Sequence, residues 1–465
     1  MQNFDFVVIG GGSAGYAAAS TCARGGLSTA VIEGGAEVGG LCILRGCMPS
    51  KALLATSARA AAVRHAAAFG VHAEFNGIDG AAMQRRKRLL VADFAGYRRG
   101  QLESGKFTFI RGAARFLDAH TIEIRSEDGG LSKISARFVL IATGSTQFVP
   151  AVPGLREIEP LDSDAFLSRE HIPKSIVILG GGAIALEAAS FYSGAGVRVT
   201  LLQRSSRILK DADPDASHAL SEGLVKNGIN IRTNVRLLGA SKSADGSKCI
   251  EFDAGGGAEV IVAEEVLHAL GRVPATEQLE LDAAQVEMNG RAVRTSPTQQ
   301  TSQPHIFAAG DVCSPLQVVH LAVTQGEIAA RNVLRLANTP TERLEEIDYR
   351  LKMLAIFSEP GFASVGLSER ELLDSGRETL SATYPFNDHG KSMVEGCLDG
   401  FVKLVVCGAS REILGATVVG PHAAELIHEI VVAMHFRATA GDLARIPHYH
   451  PTLSEIWTYP AEELA

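Results

Sequence analysis

Tryptophan is nearly absent, with one in 465 residues, yet 46% of the chain is hydrophobic and 21% charged, so the composition is that of a folded globular protein. There is no excess of basic charge. Lys and Arg number 44 against 52 Asp and Glu, a net charge of −8, which leaves no basic face to hold nucleic acid or anionic lipid. No apolar run reaches membrane-spanning length. The opening residues MQNFDFVVIGGG lack a basic stretch, carry Asp5 and turn at once into a glycine loop, so they read as the first strand of a domain and not as a signal peptide. Cysteine is sparse as well: seven residues, an odd count with no regular framework. That pattern argues for a reducing compartment, with the cytoplasm expected, where a dedicated cysteine pair is catalytic and not structural. The length exceeds what one hydrophobic core supports, and about two to four domains are expected.

What the chain does have is a repeat. FDFVVIGGGSAGYAAASTCARGGLSTAVIEGG and KSIVILGGGAIALEAASFYSGAGVRVTLLQRS each run from an apolar β-rich stretch through a glycine turn into an alanine-rich helix and a second apolar strand. Both read as βαβ nucleotide-binding units. In the first, Gly10, Gly12 and Gly15, with Ser13 and Ala14 between them, supply the tight turn, the close approach to a pyrophosphate and the helix–strand contact, and Glu33 stands where an acid meets a ribose hydroxyl. The second has Gly180, Gly182, Ala183, Ile184 and Ala185, but Gln203 replaces the acid and is followed by Arg204, Arg207 and Lys210. A carboxylate there would repel a 2′-phosphate, whereas a guanidinium grips one, so NADPH is expected over NADH.

Directly after the first fingerprint comes GGLCILRGCMPSKALL, in which four residues separate Cys42 from Cys47 and Pro49 suits the first turn of a helix. The unpaired N–H groups at a helix N-terminus favour a thiolate, so the pair is expected to cycle as a redox-active disulfide beside a flavin. Gly40 and Leu41 lead into it. Further strand-to-turn segments are IATGSTQFVP with Ala142, Thr143 and Gly144, LGRVPAT with Gly271 and Arg272, and IFAAGDV with Gly310 and Asp311. Asp311, at the carboxyl end of a strand, is expected to hold a ribityl chain, and Cys313 to be a packing residue. From about residue 346 the pattern becomes strands followed by a helix and the tail RIPHYHPTLSEIW, a separate α+β domain. There His450 and Glu455 flank Pro451 as a base oriented by an acid, with His448 as competitor.

These motifs, together and in this order, resemble the class I pyridine nucleotide-disulfide oxidoreductases, the family of dihydrolipoamide dehydrogenase, glutathione reductase and mercuric reductase. The resemblance covers essentially the whole chain through GGGSAG with Glu33, the segment holding Cys42 and Cys47, the ATG box, GGGAIALE, GR-x-P, AAGD and HPTLSE. It implies an α/β fold with Rossmann-like FAD (1–150) and NAD(P) (151–275) domains, a central region completing the FAD site (276–345) and a C-terminal α+β dimerisation domain (346–465). It further implies a homodimer in which His450 reaches the neighbouring subunit's disulfide, with Glu455 as its partner. By the same resemblance Cys42 is the interchange sulfur and Cys47 the one nearer the flavin, and Lys51 pairs with Glu187 beside the ring. The FAD residues are then Gly10, Gly12, Ser13, Ala14, Gly15, Glu33, Gly40, Leu41, Lys51, Ala142, Thr143, Gly144, Gly310 and Asp311. The NAD(P) residues are Gly180, Gly182, Ala183, Ile184, Gln203, Arg204, Lys210, Gly271 and Arg272. No metal ligand set is expected.

Departures from the family pattern bear on the substrate. Leu41 replaces the usual Thr, and Leu44-Arg45 the usual Asn-Val, which puts a cation near the disulfide. Ala183 and Ser20 stand where glutathione reductases carry a Tyr and an Arg, and the chain ends YPAEELA without the paired cysteines of mercuric reductases. Gly15-Tyr16 and the tail HYHPTLSEIW are nearest to dihydrolipoamide dehydrogenases, although those prefer NAD and an acid where Gln203 stands. The expected activity is transfer of electrons between NAD(P)H, FAD, the cysteine pair and a lipoyl or small-molecule disulfide. Reduction of glutathione or another small disulfide, a quinone or metal-ion reductase, and a non-enzymatic redox sensor are the alternatives.

Overall fold

The computed structural model describes residues 1–465 as two compact units, one of Met1–Ser50, Arg85–Phe148 and Gly271–Asp348, the other of Lys51–Gln84, Val149–Leu270 and Tyr349–Ala465. The first is built on a seven-stranded sheet. Strand Gln2–Ile9 lies between Thr29–Glu33 and Leu131–Ile141, parallel to both, with Val7 opposite Ala30 on one side and Val139 on the other. Such strands, covered on both faces, read as unbroken apolar runs, and VVI and AVI are fully buried here. The end of Leu131–Ile141 takes Ile306–Ala308 as a parallel neighbour, while its start pairs antiparallel with Thr121–Arg125. Helix Ser13–Arg24 packs by its small residues against helix Val319–Asn338, and the backbone of Ala14 leaves no room for a side chain at Gly326.

The second unit repeats the parallel arrangement in a four-stranded sheet, ordered Ile229–Arg232, Arg198–Leu202, Ser175–Leu179 and Glu265–His268. It also carries a three-stranded meander over 236–263 and a five-stranded antiparallel sheet over 353–420. Helix Ala423–His435 lays Leu426, Ile427, Ile430 and Met434 on that last sheet, an i, i+1, i+4, i+8 stripe. The single tryptophan, Trp457, is fully buried in the same core, its indole N–H donating to the Leu426 carbonyl at 3.1 Å. Within this unit Lys403, 1% exposed, places its ammonium 2.8 Å from Asp213, 2.9 Å from Asp215 and 2.8 Å from Glu369. A buried ammonium is tolerable because three carboxylates surround it. No helix is long and apolar enough to cross a membrane.

Candidate active site

The two glycine turns are built alike. Gly10 has φ +108°, and a side-chain carbon there would meet the Ala142 carbonyl oxygen at 2.4 Å; Gly180 has φ +120° and would meet that of Ala269 at the same 2.4 Å. Only glycine fits such a turn. Gly12 and Gly182 then cap helices Ser13–Arg24 and Ala183–Gly194 without any side-chain hydrogen bond and with no acid in the first turn. Unfilled N–H groups at an uncapped positive helix end suit a pyrophosphate. Ser13, Ala14 and Gly15 occupy the first helical turn after Gly12, and Ala183 and Ile184 the first two positions after Gly182.

Glu33 folds back on the first turn, accepting the Gly11 N–H at 2.8 Å and the Gly35 N–H at 2.7 Å. Gln203 takes the corresponding place, its amide carbon 2.9 Å from where a side chain on Gly181 would begin. Its amide N–H₂ donates to the Ser205 hydroxyl. Arg204 is exposed, Lys210 pairs with Asp211 at 3.0 Å, and Arg207 donates to the Lys210 carbonyl at 2.9 Å, so Arg207 braces its own loop.

At the other strand ends, Ala142 is buried, Thr143 donates its hydroxyl to the Ala275 carbonyl at 2.8 Å, and Gly144 accepts the Ala275 N–H at 2.9 Å. Asp311 accepts the Ser145 hydroxyl at 2.7 Å, and the same Ser145 oxygen accepts Arg272 Nε at 2.8 Å. Gly271 and Arg272 thus lie with Asp311 in the first unit, whereas Gly180, Gln203, Arg204 and Lys210 lie in the second. Gln325 accepts the Gly310 N–H at 2.9 Å, fixing the turn that presents Asp311. Ser145 directly follows the ATG box and Gln325 lies outside the motifs; their partners are 166 and 15 residues away.

Cys42 lies in the short helix Gly40–Arg45, and Cys47 is the first residue of helix Cys47–Arg64. Their sulfurs are 2.7 Å apart, so a bond of about 2.05 Å closes by side-chain movement alone. Gly40 abuts Gly12, which sets the start of the cysteine helix against the first fingerprint, and Leu41 is partly exposed beside it. Arg45 forms an exposed ion pair with Glu37 at 2.7 Å. Arg98, which no motif flags, stacks its guanidinium 4.2 Å over the Tyr16 ring, with Nε and Nη1 buried and without a hydrogen-bond acceptor. Burial pushes that guanidinium down, and the charges of Tyr16 and Cys42 oppose the shift. Cys313 packs against a hydrophobic cluster, and burial pushes its thiol up to about 12.

One turn beyond Cys47, Lys51 donates to both oxygens of Glu187, at 2.7 and 3.0 Å, and its ammonium lies 4.4 Å over the Phe357 ring. The Phe357 N–H also donates to Glu187, at 3.1 Å, so the carboxylate is held from two sides. In the C-terminal tail, His450 is 78% exposed and its Nδ1 meets Glu455 Oε2 at 3.0 Å. His448 is 8% exposed and holds Glu429 at 2.6 Å through Nε2 and the Ile446 carbonyl at 2.9 Å through Nδ1, so both of its nitrogens are taken.

Two glycine turns shaped for dinucleotides and a facing cysteine pair define a nucleotide-linked disulfide oxidoreductase, and comparison with known proteins agrees. Residues 4–326 match the family described as pyridine nucleotide-disulphide oxidoreductase and residues 353–461 its dimerisation domain; the chain belongs to this family. It is 37% identical to a dihydrolipoyl dehydrogenase of Chlamydia muridarum over 99% of this chain and 96% of that one. Identity to the dihydrolipoyl dehydrogenase of Geobacillus stearothermophilus is 34%, covering 98% and 95%. Among solved structures it is similar to LpdA from Mycobacterium tuberculosis, with a TM-score of 0.88, 26% identity and complete coverage of both chains. The flavoprotein disulfide reductase RclA from Escherichia coli, induced by HOCl, gives 0.84 at 25% identity over 99% of each chain. The protein is therefore a flavoprotein disulfide oxidoreductase of the dihydrolipoyl dehydrogenase-like kind, with FAD as the cofactor its family supports.

Proposed function

We propose that the protein couples NADPH to a lipoyl-type or other small disulfide, as a homodimer whose two active sites are each shared between subunits. The observation that carries this reading is the Cys42–Cys47 pair, sulfurs 2.7 Å apart at the start of a long helix. FAD, when bound, supplies the two-electron link between the nicotinamide and this pair. Gly10, Gly12, Ser13, Ala14, Gly15, Glu33, Gly40, Leu41, Lys51, Ala142, Thr143, Gly144, Gly310 and Asp311 would hold it.

With both cysteines reduced, the Cys42 thiolate attacks one sulfur of the substrate. A Cys42–sulfur bond forms, the substrate's S–S bond breaks, and the leaving thiolate takes a proton from His450 of the partner subunit. The Cys47 thiolate then attacks the Cys42 sulfur, closing the disulfide and expelling the second substrate thiolate, which is protonated in turn. Oxidation of a dithiol runs the same steps backwards. Glu455 on Nδ1 leaves Nε2 as the outward nitrogen of His450, the one able to exchange that proton. Lys51, locked by Glu187, contributes a fixed positive charge one turn from Cys47.

Preference for NADPH rests on Gln203 and the exposed Arg204 beside it, which remove a repelling carboxylate and offer a guanidinium to a 2′-phosphate. A reducing compartment such as the cytoplasm suits a pair that must be reduced to act. Steady-state assays of NADH and NADPH with lipoamide, glutathione disulfide and coenzyme A disulfide test the reading. We expect turnover of lipoamide with NADPH as the better donor; an NADH advantage of about tenfold or more, about 1.4 kcal/mol, overturns the nucleotide assignment.

A further inference from the structure

His389 follows the short turn Phe386–Asp388, and its side chain is 0% exposed. A fully enclosed imidazole needs partners for both nitrogens. Nδ1 lies 2.8 Å from the hydroxyl of Ser392, itself completely buried. Nε2 has no well-aligned acceptor; the charged atom it meets is Glu455 Oε1, at 3.4 Å. The other oxygen of that carboxylate is the one on His450 Nδ1. Glu455, 12% exposed, is thus bracketed by two imidazoles, one sealed inside the protein and one 78% exposed.

The surroundings fix which form the buried ring takes. Burial holds His389 below the ordinary histidine range, and His450 pushes the same way while Glu455 opposes. Tyr459 stands edge-on to it with ring centres 6.3 Å apart, and Tyr459 in turn stacks on Tyr384 at 3.8 Å. Asp388, next in the chain, is engaged by the Tyr384 hydroxyl at 3.1 Å. His389 is therefore neutral near pH 7 and carries one ring proton. The Ser392 hydroxyl can donate to or accept from Nδ1, whereas a bare Nε2 lone pair 3.4 Å from the Glu455 carboxylate would be repelled, so the proton belongs on Nε2.

We propose that His389 is a positioning residue: its Nε2–H steers Glu455 so that Oε2 stays on His450 Nδ1 and the exposed imidazole keeps Nε2 as its proton-exchanging atom. This rests on the reading of His450 as the acid–base group. Without the buried donor the carboxylate is free to rotate off Nδ1, and the His450 imidazolium loses the negative charge that stabilises it.

The test uses the FAD-loaded dimer with isotopically labelled histidine. In His389→Leu we expect the His450 titration, followed by NMR, to move downward and kcat for lipoamide at pH 7 to fall about tenfold with KM nearly unchanged. His389→Gln, which keeps a donor at the position of Nε2, should restore both. An identical His450 titration in the parent and His389→Leu overturns the proposal. Should His389→Leu fail to fold, the parent decides: ring-nitrogen shifts must show His389 as the Nε2–H tautomer, and an Nδ1–H tautomer overturns it. If instead His450→Gln leaves turnover intact, the acid–base reading fails, while the coupling of His389 to the His450 titration remains separately measurable.

Discussion

The strands and helices over residues 2–33 and over 175–203 are two versions of one design that differ in what they present. Both turn on a glycine whose missing side chain admits a carbonyl at 2.4 Å, and in both a side chain at or just past the end of the second strand folds back over that turn. In the first the side chain is Glu33, in the second Gln203. The first leads to the pair Cys42 and Cys47; the second leads to Arg204 and Lys210. The backbone geometry is generic to dinucleotides, and the chemistry lies in a few side chains just past each repeat.

The largest effect that separates the two regions is on the cysteine pair. Cys42→Ser should lower NADPH-dependent lipoamide turnover by about a thousandfold or more while flavin absorbance persists, measured by steady-state kinetics and the visible spectrum. Matched glycine variants come next. Gly10→Ala and Gly180→Ala face the same clash, each expected to cost upwards of about 2 kcal/mol locally, but with different losses. The first should yield protein depleted of FAD; the second should stay yellow yet be reduced sluggishly by NADPH in a stopped-flow experiment. Equal FAD loss in both would end the division of labour.

A third experiment exchanges the discriminating side chain. Gln203→Glu should shift the ratio of kcat/KM for NADPH over NADH by about tenfold towards NADH, about 1.4 kcal/mol of repulsion at the 2′-phosphate. The smallest effect concerns Cys313. Its folded-state thiol, raised by burial to about 12, stays protonated through pH 8, so in reduced protein iodoacetamide should modify Cys42 and leave Cys313 untouched. Cys313→Ala should leave turnover within about twofold.

Much of this was legible in the sequence because the relevant residues are neighbours along the chain. The glycine turns and the Cys42–Cys47 segment are local patterns that one helix or one turn brings together, and His450 and Glu455 lie five residues apart. The rest depends on long-range packing. The GR-x-P segment that holds Arg272 gives no sign of its bond to Ser145, 127 residues earlier, beside Asp311. Arg98 belongs to a helix with no motif and meets Tyr16 only in the folded unit. His389 sits 66 positions before Glu455 in a turn that resembles any polar loop, and nothing in the residues around it announces that it would be sealed from water. The side chains proposed to bind or react sit in compact motifs; their packing partners are recruited from wherever the sheets pass.

The solitary indole of Trp457 gives the molecule a built-in optical division. Enclosed beside Leu426 in the C-terminal core, it is the single indole of the chain, whereas a bound flavin would emit by itself in the visible. Heating one sample while following both colours would therefore show whether the C-terminal core and the flavin-binding part melt together or in succession, without attaching any label.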